Sequence, residues 1–306
     1  MSSSEEQSEN SGPEPPINAN PQLQTYYHTL ESRLGYRLVL GDTRHFGYYE
    51  QDTFWPFPCT RSLRRMEDEL PEALALSPGS RVLDAGCGVG HVALRMAQTH
   101  KLRVEAIDVV DHHVQKASRN VQRAGLPAGQ IRVQKMDYHN LESFSPESFD
   151  GVYTIETFVH ATDPAAVLKG FYRLLRPGGS LAQFEYDHNA TDTAPQDIQR
   201  AMEKVNKYSA MPTNAISQPG VYKQLLEDAG FEDIVVRDYS DKIVPMTRFF
   251  FLLAFIPYLF VRLFRLERWF INTVAGVESY QGRKHWHYLA ISAKKPEDQI
   301  GTQVSK

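Results

Sequence analysis

The sequence predicts an α/β fold, a mostly parallel sheet with helices packed on both faces. Three observations carry this. Short β-branched runs alternate with longer helical runs between residues 81 and 186. A glycine-dense turn joins the first such run to the helix that follows it. Finally, 42% of the 306 residues are apolar, enough for a globular chain that buries a real core.

Taken in order, the opening "MSSSEEQSENSGPEPP" is polar and acidic, and residues 1–22 read as a disordered tail. It lacks a basic stretch followed by an apolar one, so it does not read as a secretory signal, and its acidity argues against a mitochondrial transit peptide. Residues 23–75 hold N-terminal helices. Leu30, Leu34 and Leu38 recur at helical spacing, as do Leu63, Met66 and Leu70, and an aromatic-rich loop "HFGYYEQDTFWPFP" separates the two runs.

The core domain spans 76–296, with residues 297–306 a flexible end. Strands are predicted at 81–86, 103–108, 131–136, 149–155 and 179–186, and helices at 90–100, 111–125 and 164–175, the last stopped by Arg176-Pro177-Gly178-Gly179. Two more helices follow, "TAPQDIQRAMEKVNKYSA" and "QPGVYKQLLEDAG". Then come a sixth strand, "DIVVRDY", and a seventh, "HYLAISAKK". Between those strands lies an insertion, 241–286, that contains the apolar run "FFFLLAFIPYLFV".

The net charge is −4, and Glu5, Glu6, Glu9 and Glu14 lie in the tail, so the remainder is near neutral. A chain this balanced carries no large basic footprint, and no nucleic-acid partner is expected. Its two cysteines, Cys59 and Cys87, neither build a disulfide framework nor stand at metal-binding spacing, so no metal is expected. A reducing, cytoplasmic setting follows as the expectation.

"LDAGCGVG" is the most informative stretch. Asp84 ends a strand, and Gly86, Cys87, Gly88 and Gly90 lead into a helix. Glycines let backbone approach a ligand without a Cβ in the way, and free N–H groups at a helix N-terminus offer hydrogen bonds and a positive dipole end. A nucleotide-like ligand fits there; the bland alternative is a tight turn that binds nothing. The dinucleotide fingerprint would need glycine at position 91, where the chain has His91.

What stands here, D-x-G-x-G-x-G, resembles motif I of the class I S-adenosylmethionine-dependent methyltransferases. The resemblance implies S-adenosyl-L-methionine as cofactor, with Asp84, Gly86, Cys87, Gly88 and Gly90 around it. It further implies Asp108, with Val109 beside it, for the ribose hydroxyls; taken alone, Asp108 could be a helix N-cap. Asp137 and Tyr138 are then implied for the adenine. "LLRPGGSLAQFEY" supplies the turn that the family carries before its fifth strand. Over residues 60–296 the implied fold is a Rossmann-like seven-stranded sheet of order 3-2-1-4-5-7-6 with the last strand antiparallel.

"HFGYY" resembles a segment ahead of motif I in sterol C-methyltransferases, tocopherol methyltransferases and related small-molecule enzymes, where it folds over the methionine end of the cofactor. This implies Tyr48 and Tyr49 near the sulfonium, a placement that aromatic faces suit; helix-to-sheet packing is the alternative. The stretch after the fourth strand resembles the E-x-x-x-H segment of sterol methyltransferase-like enzymes, with Glu156 and His160 in the matching places. Capping or packing stays open for His160.

Methyl transfer from a sulfonium requires mainly alignment in a dry pocket. If the acceptor is a hydroxyl, thiol or amide, His160, Glu156, His45 or Glu185 could take its proton. An alkene acceptor would call instead for stabilisation of a carbocation. The front segments also resemble fungal secondary-metabolite methyltransferases, including gliotoxin-type N-methyltransferases. The expected function is methyl transfer to a hydrophobic small molecule, on N or O, with C-methylation of a sterol or isoprenoid, or a non-catalytic methyltransferase-like protein, as alternatives.

The run Phe249–Val261 is shorter than the roughly 20 apolar residues that a spanning helix needs, and Pro257 is expected to interrupt it. Beyond the proline, apolar residues run beside Arg262, Arg265 and Arg268. That pattern suits a lid over an apolar active site, an interfacial helix in peripheral membrane contact, or a homodimer interface.

Overall fold

A computed structural model describes residues 19–50, 53–189 and 194–297. The expectations for the N-terminal tail through residue 18 and for the chain end beyond 297 lie outside these. Residues 19–22, assigned to the tail, belong to the fold: Asn20 is buried, and the first helix starts at Pro21.

Three helices precede the sheet: α1 (Pro21–His28), α2 (Leu30–Leu40) and α3 (Cys59–Leu74). Then β1 (Arg81–Ala85), α4 (His91–His100), β2 (Arg103–Asp108), α5 (Asp111–Ala124), β3 (Ile131–Lys135), β4 (Phe149–Ile155), a 3-10 turn at Phe158–His160, α6 (Pro164–Leu174) and β5 (Leu175–His188) alternate as the periodicity predicts. The chain continues through α7 (Gln196–Tyr208), α8 (Pro212–Ile216), α9 (Val221–Asp228), β6 (Glu232–Asp238), α10 (Ser240–Leu263), α11 (Ile271–Gln281) and β7 (Trp286–Lys294).

The strands form one seven-stranded sheet of order β3-β2-β1-β4-β5-β7-β6, with β7 antiparallel to both neighbours. Alternate side chains of its near-continuous apolar strands feed two cores. Met66, Leu70, Met96, Tyr153 and Phe184 pack on one face, and Leu83, Phe149, Phe158, Phe171 and Leu181 on the other. Register aligns Asp84 with Ala106 and Tyr153, so the ends of β1, β2 and β4 meet at the carboxyl edge of the sheet, where open α/β sheets bind ligands.

Two elements differ from expectation. β5 starts at Leu175 and takes in the Arg-Pro-Gly-Gly turn, because Leu175 already pairs with Phe149 before a register shift. More consequentially, Pro257 does not break the insertion: α10 is one helix of 24 residues that passes through Pro245 and Pro257. A proline removes one backbone hydrogen bond. Here the packing of buried Ile243, Met246 and Val261, together with the pairing of α10 with α11, outweighs that loss. The two helices approach closely at Gly276, where a Cβ would stand 3.3 Å from that of Ala254.

Candidate active site

Two cavities share a wall at the carboxyl edge of the sheet. The first holds about 80 Å³ and is lined by the glycine turn, the ends of β1, β2 and β4, and α1. The turn is built by geometry that only glycine meets. Gly86 has φ +107, and a Cβ there would sit 2.6 Å from Oγ1 of Thr157, which itself donates to Ala85 O. Gly88 donates its N–H to Oδ2 of Asp108 at 2.9 Å. Gly90, at φ +82, does not line the cavity; it turns the chain into α4 against Ala117.

Asp84 is buried beside the Tyr153 hydroxyl, and neither its Oδ2 nor that hydroxyl makes a hydrogen bond of standard geometry. Burial pushes its pKa up to about 7. Asp108 is also buried and moves the other way. Desolvation raises it, but the charge and hydrogen bond of His113, with N–H donors from Val110 and Gly88, outweigh that and hold it below the usual carboxylate range. Cys87 and Val109 line the same cavity, as does Tyr138, whose hydroxyl donates to Thr157 O.

Besides Gly90, three residues expected around the cofactor line neither cavity. Asp137 does not line the cavity; its carboxylate is taken by Ala19 N–H at 2.6 Å and by the backbone N–H and ring Nδ1 of His139. Tyr48 packs edge-on against Tyr239, with the Arg65 guanidinium and the Lys242 ammonium over its ring. The ring does engage cations, but they are the protein's own. Tyr49 is buried against Leu40, Leu63 and Met246 and donates to Pro56 O. Neither tyrosine lines a cavity.

Instead α1 covers the first cavity. Leu23 and Tyr27, one helical turn apart, line it, and between them Gln24 donates to Val109 O at 2.7 Å. Asn20 pins the start of α1 by donating to His160 O and Ala210 O. The i, i+4 pairing of Leu23 and Tyr27 was a readable signal; without the fold, nothing in the sequence said which surface it would meet.

The second cavity holds about 470 Å³ between the sheet edge, α2, α7, α10 and α11. Its lining is mainly apolar, with Met202, Phe250, Leu253 and Ala254 among its walls. Tyr27, Arg44, His45, Glu156 and His160 line both cavities and so mark the boundary.

Glu156 sits there with φ +54, a strained conformation for a residue with a side chain. Its Oε1 accepts from Phe46 N–H at 2.6 Å and from the Tyr288 hydroxyl at 2.9 Å, and its Oε2 accepts from the Tyr186 hydroxyl. Burial raises its pKa against these donors. His160 donates from Nδ1 to Ala210 O at 2.9 Å, which leaves Nε2 to accept from the Tyr27 hydroxyl at 3.3 Å. Burial pushes its pKa down to about 4.

His45 donates from Nδ1 to Phe46 O, and its Nε2 stands 3.5 Å from Glu67. Burial disfavours its charge, but Glu67 prevails and the pKa is raised. Glu185, a candidate base by sequence, lines neither cavity. It is fully buried, and its Oε1 accepts from Thr154, Thr157 N–H and Phe158 N–H, so it builds the turn after β4. His188 was not foreseen. It lines the second cavity with Nδ1 unpartnered while Nε2 donates to Asn214 O.

Residues 82–179 match the profile of the methyltransferase domain family. Among similar proteins, an S-adenosyl-L-methionine-dependent Diels-Alderase of Talaromyces variabilis is 46% identical over 90% of this chain and 94% of its own length. A second such Diels-Alderase, of Neonectria sp. (strain DH2), is 50% identical over 73% of this chain and 87% of its own. More distant relatives at 30% identity are named O-methyltransferase and sterol 24-C-methyltransferase. The solved [4+2]-cyclase SpnF superposes with a TM-score of 0.66 over 83% of this chain and 88% of its own, at 22% identity, a likeness of fold. With the glycine turn, the acidic β-strand ends and the strand order in agreement, this chain is an S-adenosylmethionine-dependent enzyme of the class I methyltransferase family.

Proposed function

We propose that the chain is an S-adenosylmethionine-requiring cyclase, closing a ring by [4+2] cycloaddition within an apolar substrate that carries both diene and dienophile. The observation that carries this reading is the second cavity: large, apolar, and walled from the cofactor cavity by polar groups that are already committed. Glu156 is held by three donors, His160 is kept neutral with both ring nitrogens engaged, and Glu67 holds His45 toward its charged form. None of these is poised to take a proton, and a cycloaddition moves none. Its barrier falls when a flexible chain is confined in a reactive shape, which a dry cavity of fixed walls supplies. The similar Diels-Alderases support the reading.

The side chains of the first cavity fit the cofactor's polar groups, and because about 80 Å³ is less than the ligand fills, α1, which covers the cavity, must give way on binding. Asp84 offers a buried oxygen without a partner, suited to a cationic group, and Asp108 keeps lone pairs for ribose hydroxyls beyond those used by Gly88 and Val110. The glycine turn gives close approach for backbone N–H groups, and Leu23 and Tyr27 cover the ligand. Bound there, S-adenosylmethionine supplies a fixed sulfonium charge and, to an aligned nucleophile, a methyl group.

The test is a substitution inside the second cavity. Met202→Trp should abolish conversion of polyene substrates to products of unchanged mass while leaving cofactor affinity intact. Unaltered conversion would remove the cavity from the reaction. A second reading, O-methylation, is favoured by His188: its open Nδ1 on the cavity wall is a neutral imidazole able to accept a hydroxyl proton. Under that reading the product gains the mass of one methylene, and His188→Ala stops it.

A further inference from the structure

α10 has two apolar faces with different neighbours. Its inner face, through Phe250, Ala254 and Pro257, lines the second cavity. On the opposite face, by the helical period, Leu252, Ile256, Leu259 and Leu263 form one stripe, 48–72% exposed. Phe264 and Trp269 extend it past the helix end, at 64% and 61% exposure. A contiguous exposed apolar face of this kind marks a contact surface.

We infer that this outer face docks on an anionic lipid surface. Charge selects that occupant. From Met246 to Ile271 the sole acidic residue is Glu267, which is paired with Lys204, against four arginines: Arg262 pairs with Glu278 and Arg248 donates to Phe54 O, while Arg265 and Arg268 follow the helix end. An apolar stripe with a basic flank is the pattern of a helix lying in a membrane interface, and each such arginine gains from anionic headgroups. A second copy docking by two-fold symmetry would bring this basic-flanked face against a face of the same charge, and protein interface cores are depleted of charge. Trp269, with Arg268 over its ring, adds the aromatic anchor that membrane interfaces favour.

The helix Ser240–Leu263 is long and apolar enough to span a bilayer by length and composition, with a mean hydropathy of 1.8. Its inner face is committed to the protein, however: Ile243, Met246 and Val261 are buried. The helix therefore lies on the surface. Leu253 lines the second cavity and is 52% exposed, so the cavity wall is continuous with the docking face. An apolar substrate dissolved in the bilayer could reach the cavity there without crossing water. Docking holds whatever reaction the cavity performs, because it is read by lipid binding alone.

The experiment is flotation of the full chain with phosphatidylcholine vesicles, with and without phosphatidylserine. Ile256→Ser, Leu259→Ser and Leu263→Ser are combined in one variant, none of them lining a cavity. The wild type should float with the anionic vesicles, less so in added salt, and the variant's partition coefficient should fall by at least about tenfold from the lost apolar burial. If the variant does not fold, the unmodified chain and Trp269→Phe still decide: the blue shift of tryptophan emission on addition of anionic vesicles should appear in the first and be reduced in the second, which keeps Trp55 and Trp286. A wild type that neither floats nor shifts overturns the inference. So does one that elutes as a dimer, becomes a monomer in the variant and ignores vesicles, which would assign the face to a second copy.

Discussion

The backbone N–H of Phe46 donates a 2.6 Å hydrogen bond to Oε1 of Glu156, tying the loop after α2 to the end of β4 where the two cavities meet. The same carboxylate gathers the hydroxyls of Tyr186 and Tyr288 from β5 and β7. One side chain thus sets the spacing between the walls of the two cavities. Glu156→Ala frees three buried donors and lets the wall shift, and misplacement of about 1 Å can cost about 10²-fold in rate. Initial rates of product formation should fall by that order, while Glu156→Gln, which keeps an acceptor, loses less.

Asp108→Ala should weaken cofactor binding by about 10- to 100-fold, the scale of lost hydrogen bonds to a charged acceptor. Asp108 also holds the N–H groups of Gly88 and Val110, so Asp108→Asn is the control for structure. Calorimetry with S-adenosylmethionine reads both, and an unchanged dissociation constant for the alanine variant removes Asp108 from the ribose site.

Asp84 predicts a pH dependence with a definite sign. Its folded pKa of about 7 lies above the ordinary 3.8, so its contribution to stability is present below pH 3.8 and is lost as pH rises through about 7. Binding of a cationic cofactor runs the opposite way, because the carboxyl must lose its proton to pair. Affinity should rise by up to about tenfold per pH unit toward pH 7 and flatten above it. Asp84→Asn should bind weakly with no such slope, and a wild-type affinity independent of pH would contradict the assignment.

Glu185 makes a separable prediction about stability. Burial lifts its pKa to about 8 from 4.5, so its contribution is full below pH 4.5 and disappears as pH rises through about 8. Glu185→Gln keeps the acceptor for Thr154, Thr157 and Phe158 and should flatten this decline in the thermal midpoint. Glu185→Ala leaves those donors unpaired and should cost about 1–3 kcal/mol below pH 4.5, a deficit that shrinks as pH rises toward 8 because the variant has no carboxyl to ionise.

The fold was largely legible because its signals are local. The glycine turn, the β-branched strands and the turn at Arg176–Gly179 each declare themselves within a few residues, and the strand order followed from the family resemblance. The lining of the first cavity was legible where it rests on the backbone turn, at Gly86, Gly88 and Asp108. It was not legible where long-range packing decides. Tyr48 and Tyr49 carry the right chemistry, but Arg65, Lys242 and Met246 claim them, and those residues come from α3 and α10. Asp137 was captured by Ala19, a residue assigned to the tail. Pro257 looked like a break because the packing that carries α10 through it, against α11, is invisible in a local window.

The most direct test of the proposed cyclisation is the ratio of S-adenosylhomocysteine released to product formed, measured in one reaction with purified enzyme, a polyene substrate and S-adenosylmethionine. The account predicts a product isomeric with its substrate, formation that stops when the cofactor is left out, and no S-adenosylhomocysteine above background. One S-adenosylhomocysteine per product, with the product heavier by a methylene, would contradict it and establish methyl transfer in its place.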